Sequence, residues 1–320
     1  MKKSFSLTAL MTLSLLGPFG CGHVMNPLTP TTTAITTTAK IPSPIYKAAW
    51  NKAGTISFSN PQCIAVDANG NFYVTDMSSN EVFKLDSNGN LLTQWGNTGT
   101  DTLDQPSGIA IHNNNVFVAD SSNARVVEYD LSGNIVNELM PPGPDGYSLF
   151  VYPTGISFDN AGNMYVADNS DEVYEFNSTV QLIGQWGVSG ATNGIFDYPI
   201  AATEDGSGNV YVANYNPDNI VKLNAATGTV SVWGKSGSQS GQFYGPTDVK
   251  LDANGNVYVV DSGNNRIQVF NANGSYLTQW GNTPNTTQGL NGPNSMAIDS
   301  NGNIYVVDNG NSRIVKYTLN

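Results

Sequence analysis

The sequence has few of the residues that build most catalytic and metal-binding sites. Its 320 residues include two cysteines, Cys21 and Cys63, and two histidines, His23 and His112. Two cysteines are too few for the disulfide framework of a small secreted domain, and two histidines cannot supply a three-histidine metal centre. The composition therefore excludes a disulfide-rich scaffold and a histidine-rich zinc enzyme.

Basic residues are also scarce. There are 13 lysines and arginines against 25 aspartates and glutamates, and the formal net charge is −12 at pH 7. Lys2, Lys3 and Lys40 lie before residue 45 and no acidic residue does, so the rest of the chain is more acidic than the whole. Such a surface repels phosphate backbones, which argues against nucleic acid as a partner.

Only one apolar segment is long enough to suggest contact with a membrane. Residues 5–16 follow Lys2 and Lys3 and end at Gly17 and Pro18. These 12 residues fall short of the roughly 20 that a helix needs to cross a bilayer. A basic start followed by a short apolar centre is typical of a cleaved signal peptide. We therefore predict that residues 1–21 are an export signal.

The end of this signal, Gly20-Cys21, resembles the lipobox of bacterial lipoproteins, in which the cysteine is acylated. Pro18 and Phe19 depart from the residues that the lipobox prefers. The resemblance implies that Cys21 carries a lipid and holds the protein at the cell membrane or the outer membrane. Without acylation, the expected location is secreted or periplasmic.

A Thr/Pro-rich segment separates the signal from the rest of the chain. Residues 22–44 contain repeated threonines and prolines and too few apolar residues to form a packed core. Such a composition is typical of an extended linker. We predict a tether over residues 22–44 and a folded domain over residues 45–320.

The folded domain repeats itself with a nearly constant period. A proline precedes an apolar segment every 45 to 47 residues, at Pro61, Pro106, Pro153, Pro199, Pro246 and Pro293. Each unit contains four short apolar segments separated by turns rich in Asn, Asp and Gly, which predicts four antiparallel strands. The sequence is therefore predicted to form an all-β, six-bladed β-propeller with four strands per blade.

The two ends of the domain indicate how the ring closes. Residues 46–50 match the fourth segment of a unit but precede the first unit, and Trp50 occupies the position of the tryptophan found in most fourth segments. The last unit stops after its third segment. We predict that the N-terminal strand completes the last blade, which removes the exposed edges of an open array.

Repeated acidic residues are interpreted as structural. The Asp-Asn-Gly sequences between first and second strands, such as residues 67–71, lack the regular ligand spacing of a calcium loop and favour tight turns. A second acidic row follows the second strands and is expected to accept hydrogen bonds from the next turn and from arginines five residues later. Its members are Asp76, Asp120, Asp168, Asp261 and Asp308, with Asn214 in the fourth unit.

The repeats resemble those of the NHL family. The fifth and sixth units carry the strongest likeness, with YVVDSGNNRI at residues 258–267 and YVVDNGNSRI at residues 305–314. The resemblance extends over residues 45–320 and implies the propeller fold. NHL propellers include lyases, receptor sensor domains, RNA-binding regulators and exported proteins of unknown role, so the family does not fix the function.

Departures from the repeat indicate where a ligand could bind. The position two residues after each proline, expected to face the central channel, holds a small residue in five units and Asp248 in the fifth. Lys250 lies two residues after Asp248, and Asn214-Tyr215 interrupts the acidic row one unit earlier. These four residues are the candidate ligand-binding patch. Drift on a solvated channel wall is the alternative interpretation.

Two classes of function remain open. The first is a monomeric binding module at the cell envelope that engages a protein, a peptide or a glycan and needs no cofactor. The second is a lyase or a gluconolactonase-like hydrolase with a divalent metal ion at the channel mouth. Asp248 and Asn214 have side chains that calcium accepts, but no second acidic departure completes a site. Binding without catalysis is therefore the favoured prediction, and no catalytic residue is assigned.

Overall fold

The computed structural model describes residues 43–99, 101–143, 146–187, 195–283 and 286–319. The predicted export signal, Cys21 and the tether up to residue 42 lie outside the described residues. Within the described ranges, no helix is both long and apolar enough to cross a membrane.

The chain begins with an isolated strand and a small hairpin and then forms three blades. The first strands are β1 (Ile45–Trp50), β2 (Lys52–Ala53) and β3 (Ile56–Ser57). Blade 1 contains β4 (Pro61–Val66), β5 (Phe72–Asp76), β6 (Glu81–Leu85) and β7 (Leu91–Trp95). Blade 2 contains β8 (Pro106–His112), β9 (Asn115–Asp120), β10 (Arg125–Asp130) and β11 (Ile135–Leu139). Blade 3 contains β12 (Pro153–Phe158), β13 (Met164–Asp168), β14 (Glu172–Phe176) and β15 (Leu182–Trp186).

Three further blades complete the ring. Blade 4 contains β16 (Asp197–Glu204), β17 (Asn209–Asn216), β18 (Asn219–Asn224) and β19 (Val230–Trp233). Blade 5 contains β20 (Pro246–Leu251), β21 (Val257–Asp261), β22 (Arg266–Phe270) and β23 (Tyr276–Trp280). Blade 6 contains β24 (Pro293–Ile298), β25 (Asn303–Asp308) and β26 (Arg313–Thr318), with β1 as its fourth strand. Single-turn 3₁₀ helices follow the second strands of blades 2, 5 and 6 at Ser121–Asn123, Ser262–Asn264 and Asn309–Asn311.

The predicted closure of the ring is confirmed. Strand β1 pairs antiparallel with β26, with Trp50 opposite Ile314 and Ala49 opposite Val315. The first strand of each blade contacts the first strands of both neighbours, and the contact between β24 and β4 completes the circle. The architecture is thus the six-bladed, four-stranded propeller that the sequence predicts, and its first strands surround a central channel.

The blades pack through apolar side chains whose positions repeat along the sequence. The indole of Trp95, at the end of blade 1, lies 5.7 Å from the ring of Tyr129 in blade 2. Trp50 similarly lies 5.3 Å from Phe72 in blade 1. Trp95 and Trp50 therefore fill interfaces between blades, where aromatic side chains bury large areas.

The first strands approach one another closely around the channel. A Cβ atom added to Gly108 would lie 2.5 Å from the carbonyl oxygen of Thr154 in the next blade. One added to Gly155 would lie 2.5 Å from the carbonyl oxygen of Ile200. The predicted row of small channel residues therefore has a steric cause.

One hydrogen bond of the acidic row after the second strands is common to all six blades. Each side chain accepts a hydrogen bond from the backbone N–H of the residue that lies two positions before the proline of the same blade. The donors are Ser59, Asp104, Val151, Asp197, Tyr244 and Asn291, at 2.6–3.0 Å. This contact ties the incoming chain to the inner sheet. The expected bond to the following turn is present at some positions, for example from Ser170 N–H to Asp168 at 2.9 Å.

The expected arginine partners are present in blades 2, 5 and 6. The Nε atoms of Arg125, Arg266 and Arg313 lie 2.6–2.7 Å from their aspartates. Blade 4 replaces this ion pair by two amides, because Asn214 donates to Asn219 at 3.2 Å. The same fold position thus accepts either a buried ion pair or a neutral pair.

We predict that blade 6 tolerates the neutral pair of blade 4 only when both partners change. Asp308→Asn alone leaves the Arg313 cation without its buried partner and should lower the free energy of unfolding by about 3 kcal/mol. Asp308→Asn combined with Arg313→Asn should recover this loss to within about 1 kcal/mol. Urea unfolding curves of the three proteins check this, and a double variant no more stable than Asp308→Asn would contradict it.

Candidate functional site

A cavity of about 230 Å³ lies at one mouth of the channel. This mouth is at the face of the propeller where the first strand of each blade begins and the second strand ends. Blade 5 contributes Asp248 and Lys250 to its floor, and blade 4 contributes Tyr198 and Tyr215 to its wall. The structure therefore brings together three of the four residues predicted as a ligand-binding patch.

Asp248 is buried and fully hydrogen-bonded. Its Oδ1 atom accepts from the Val249 N–H at 2.9 Å and from Lys250 Nζ at 2.7 Å. Its Oδ2 atom accepts from Ser295 Oγ at 2.8 Å and from the Met296 N–H at 2.9 Å in blade 6. These four bonds explain how a carboxylate fits into a row of small residues, because it satisfies polar groups of the neighbouring blade.

Lys250 reaches the cavity from the same strand. A quarter of its side-chain surface, 25%, remains accessible, and this surface opens into the cavity. Burial lowers the pKa of Lys250, but the adjacent Asp248 carboxylate outweighs this effect, and the pKa is raised overall. The side chain is therefore an ammonium group at neutral pH. Among the described residues, Asp248 is the only hydrogen-bond acceptor that contacts Nζ, so further N–H donors remain for a ligand.

Cys63 extends this polar cluster into blade 1. Its Sγ atom lies 3.2 Å from Ser295 Oγ, so the cluster runs from Asp248 through Ser295 to Cys63 across three blades. Burial and then the charge of Asp248 raise the pKa of the Cys63 thiol. A raised pKa keeps the sulfur protonated at neutral pH, which makes it a poor nucleophile.

The floor of the cavity does not suit a divalent metal ion. Asp248 is the only acidic residue that lines the cavity in the described part of the chain, and both of its oxygens already accept two hydrogen bonds. The Lys250 ammonium beside it would repel a cation. His112 lies at the opposite end of its strand from Pro106, where its ring stacks on Phe158 at 4.4 Å. No group of three or more metal-ligating side chains occurs among the residues described.

Tyr198 and Tyr215 form a wall of the cavity, called the tyrosine wall below, that arises from an extension of blade 4. Its first two strands, Asp197–Glu204 and Asn209–Asn216, have eight residues each, and Asp197 pairs with Asn216 beyond the usual end of the hairpin. The extension carries Tyr198 and Tyr215, whose ring centroids are 5.9 Å apart. Their side chains are 44% and 45% exposed. Two large aromatic rings thus stand together at the channel mouth.

Tyr198 is held in a backbone conformation that favours glycine. Its φ angle is +64°, and the equivalent residues Gln105, Gly245 and Gly292 have φ angles of +53°, +60° and +51°. A side chain in this region costs roughly 1–2 kcal/mol relative to glycine. The Tyr215 ring lies over Gly245, where an added Cβ would approach it to 2.8 Å. Blade 4 therefore keeps an exposed ring at a position where glycine would be more stable.

Tyr152 adds a third ring to the wall. It precedes Pro153 in blade 3, and its hydroxyl donates to Gln105 Oε1 at 2.7 Å. Tyr152 and Tyr198 both occupy the position directly before the proline of their blade. This position was not among those predicted from the sequence to bind a ligand. A comparison of that column with the glycines of blades 5 and 6 would have revealed them.

Asn214, the fourth predicted residue, does not line the cavity. Its side chain is 1% exposed and accepts from the Asp197 N–H at 2.8 Å, as the aspartates of the other blades do. It also donates to the Ile195 carbonyl oxygen at 3.3 Å. The structure gives Asn214 a structural position beneath Tyr215.

Solved structures with the same architecture include enzymes and proteins of unknown function. A streptogramin B lyase matches with a TM-score of 0.59 at 13% identity, covering 85% of this chain and 98% of the lyase. A catalytically inactive virginiamycin B lyase from Staphylococcus aureus, solved with quinupristin, gives a TM-score of 0.60 at 13% identity, covering 85% and 99%. A protein of unknown function from Bacteroides thetaiotaomicron gives 0.66 at 17% identity, covering 88% and 76%. At these identities the likeness shows the fold alone.

Sequence comparison locates recognisable repeats in four of the six blades. No curated protein matches this sequence significantly. The profile of the NHL repeat matches residues 58–92, 103–129, 243–270 and 290–317. These segments belong to blades 1, 2, 5 and 6, whereas the tyrosine wall lies in blades 3 and 4. The chain is a six-bladed β-propeller that carries NHL repeats.

Proposed function

We propose that this protein is a binding module and that its ligand occupies the tyrosine-lined mouth of the channel. The observation that carries the proposal is the exposed pair Tyr198 and Tyr215 above the buried Asp248–Lys250 ion pair. Tyrosine rings offer large contact area with a polar edge, which makes them frequent anchors in binding sites.

The rest of the cavity supports the same function. Amide side chains of Gln62 and Asn294 line the wall opposite the tyrosines, and Asn294 donates to Gln62 at 2.8 Å. A concave site with apolar rings and a few convergent polar groups is the usual form of a small-ligand site. The ligand is a glycan, a peptide or an exposed segment of a partner protein.

Binding to arrays of glycans and peptides tests whether the tyrosine-lined mouth is a ligand site. We expect Tyr198→Gly combined with Tyr215→Ser to weaken the interactions of the native protein at least about tenfold, because each ring contributes about 1–2 kcal/mol. Both substitutions introduce residues that other blades have at these positions, namely Gly245 and Ser262. Tyr276→Ser removes a partly exposed tyrosine from the outer strand of blade 5 and should leave binding unchanged. Equal binding by the double variant and the native protein would refute the proposed site.

The proposal also includes a lipid anchor at Cys21. It rests on the apolar segment 5–16, Gly20-Cys21 and the Thr/Pro-rich tether. An anchored propeller would present its channel mouth to ligands at the cell envelope.

Anchoring is tested by Cys21→Ala in the full chain. The native protein should sediment with membranes and carry an N-terminal mass larger than the peptide mass by its acyl groups, and the variant should lose both properties. A variant that stays membrane-bound with an unchanged N-terminal mass would show that Cys21 is not the anchor.

A further inference from the structure

The floor of the cavity carries information about the chemical class of the ligand, and this inference rests on the proposed function. Lys250 is the only basic residue among the described residues that line the cavity, and Asp248 is the only acidic one. The two differ in what they offer. Both Asp248 oxygens accept hydrogen bonds from the protein, whereas Lys250 spends one donor on Asp248 and keeps 25% of its side chain accessible.

The cavity floor therefore presents hydrogen-bond donors and a positive charge. A ligand hydroxyl finds no free acceptor on Asp248, so the floor does not favour a neutral sugar over a charged one. A ligand carboxylate, in contrast, can accept charge-assisted hydrogen bonds from Lys250. One ammonium group that already shares a carboxylate suits a single negative charge better than a phosphate dianion.

The walls of the cavity indicate the kind of molecule that carries the ligand carboxylate. Tyr198 and Tyr215 offer ring faces on which an apolar or sugar ring can stack. The amide nitrogens of Gln62 and Asn294 already donate to protein atoms, so these two residues offer their amide oxygens as acceptors for ligand hydroxyl groups. The volume of about 230 Å³ is smaller than typical drug-sized pockets of roughly 300–1,000 Å³, so it accommodates about one ring. The net charge of −12 gives no long-range attraction for an anion, so recognition depends on these short-range contacts.

We propose that the cavity binds a uronic acid unit of a glycan. The sugar ring lies against Tyr198 and Tyr215, its carboxylate accepts hydrogen bonds from Lys250 Nζ, and its hydroxyl groups contact Gln62 and Asn294. Asp248 is a positioning residue, because it holds the Lys250 ammonium at 2.7 Å and has no free oxygen for the ligand.

Calorimetric titration with matched sugars tests the carboxylate. Glucuronate and galacturonate differ from glucose and galactose only at the carboxylate carbon, so the comparison isolates the contact with Lys250. We expect the native protein to bind at least one uronate about tenfold more tightly than its neutral counterpart, or tighter still. Uronates that bind no better than the hexoses would overturn the assignment.

The repeat itself supplies variants that should fold. Asp248→Ser with Lys250→Ala gives blade 5 the residues that blade 6 has at these positions, Ser295 and Ala297. This double variant should lose the preference for uronate over hexose. Asp248→Ser alone removes the carboxylate that positions Lys250 and offsets the effect of burial on its pKa, so uronate affinity should fall while hexose affinity stays unchanged. If Asp248→Ser lowers the affinity for uronate and hexose equally while unfolding at the native urea concentration, Asp248 contacts the ligand and the assignment is wrong.

The outcomes separate this inference from the proposed function. Suppose that Tyr198→Gly/Tyr215→Ser loses affinity for both sugars and that the native protein shows no preference for uronate. The tyrosine-lined mouth is then the binding site, but Lys250 does not bind a ligand carboxylate there. A uronate preference that survives Asp248→Ser/Lys250→Ala rejects Lys250 as its source. If neither sugar binds, or if peptides with a free C-terminal carboxylate displace uronate at a lower concentration, the ligand is not a glycan. The array experiment then shows whether the tyrosine-lined mouth is a binding site.

Discussion

The close approach of the six inner strands around the channel is the constraint on which the rest of the structure depends. Neighbouring backbone lies 2.5 Å from where a Cβ of Gly108 or Gly155 would stand, so apolar side chains of any size are excluded there. Pairing of β1 with β26 keeps the ring closed and maintains this crowding. Blade 5 has room for a side chain at the equivalent position, where the Asp248 carboxylate accepts hydrogen bonds from Ser295 and Met296 of the next blade.

A ring of near-equivalent blades makes each departure informative. The NHL repeat matches blades 1, 2, 5 and 6, whereas the exposed Tyr198 and Tyr215 lie in blade 4, next to the altered channel position of blade 5. Tyr198 occupies a left-handed conformation that Gln105 and two glycines adopt in other blades, and the inner hairpin of blade 4 is longer at this point. Features that lower stability and have no structural partner are expected where a protein binds its ligand.

The fold was predictable to the level of individual strands because the proline period and the displaced Trp50 each specify the ring independently. The site was predictable only in part. Asp248, Lys250 and Tyr215 stand out as substitutions in regular columns, and the structure joins them in one cavity. Tyr152 and Tyr198 were missed because their column varies in most blades, and the left-handed backbone at Tyr198 becomes visible only in three dimensions. Asn214 lies outside the cavity, because its amide replaces the buried carboxylate of its row without a change of contact.

The central claim is that the departures at the channel mouth serve binding rather than folding. Its most direct test is the free energy of unfolding of a variant that restores the repeat at all four positions, with Tyr198→Gly, Tyr215→Ser, Asp248→Ser and Lys250→Ala. Relief of the backbone strain and removal of a buried ion pair should offset the lost packing, so we predict stability within about 1 kcal/mol of the native protein or above it. A loss of about 3 kcal/mol or more would show that these residues are there to hold the propeller together.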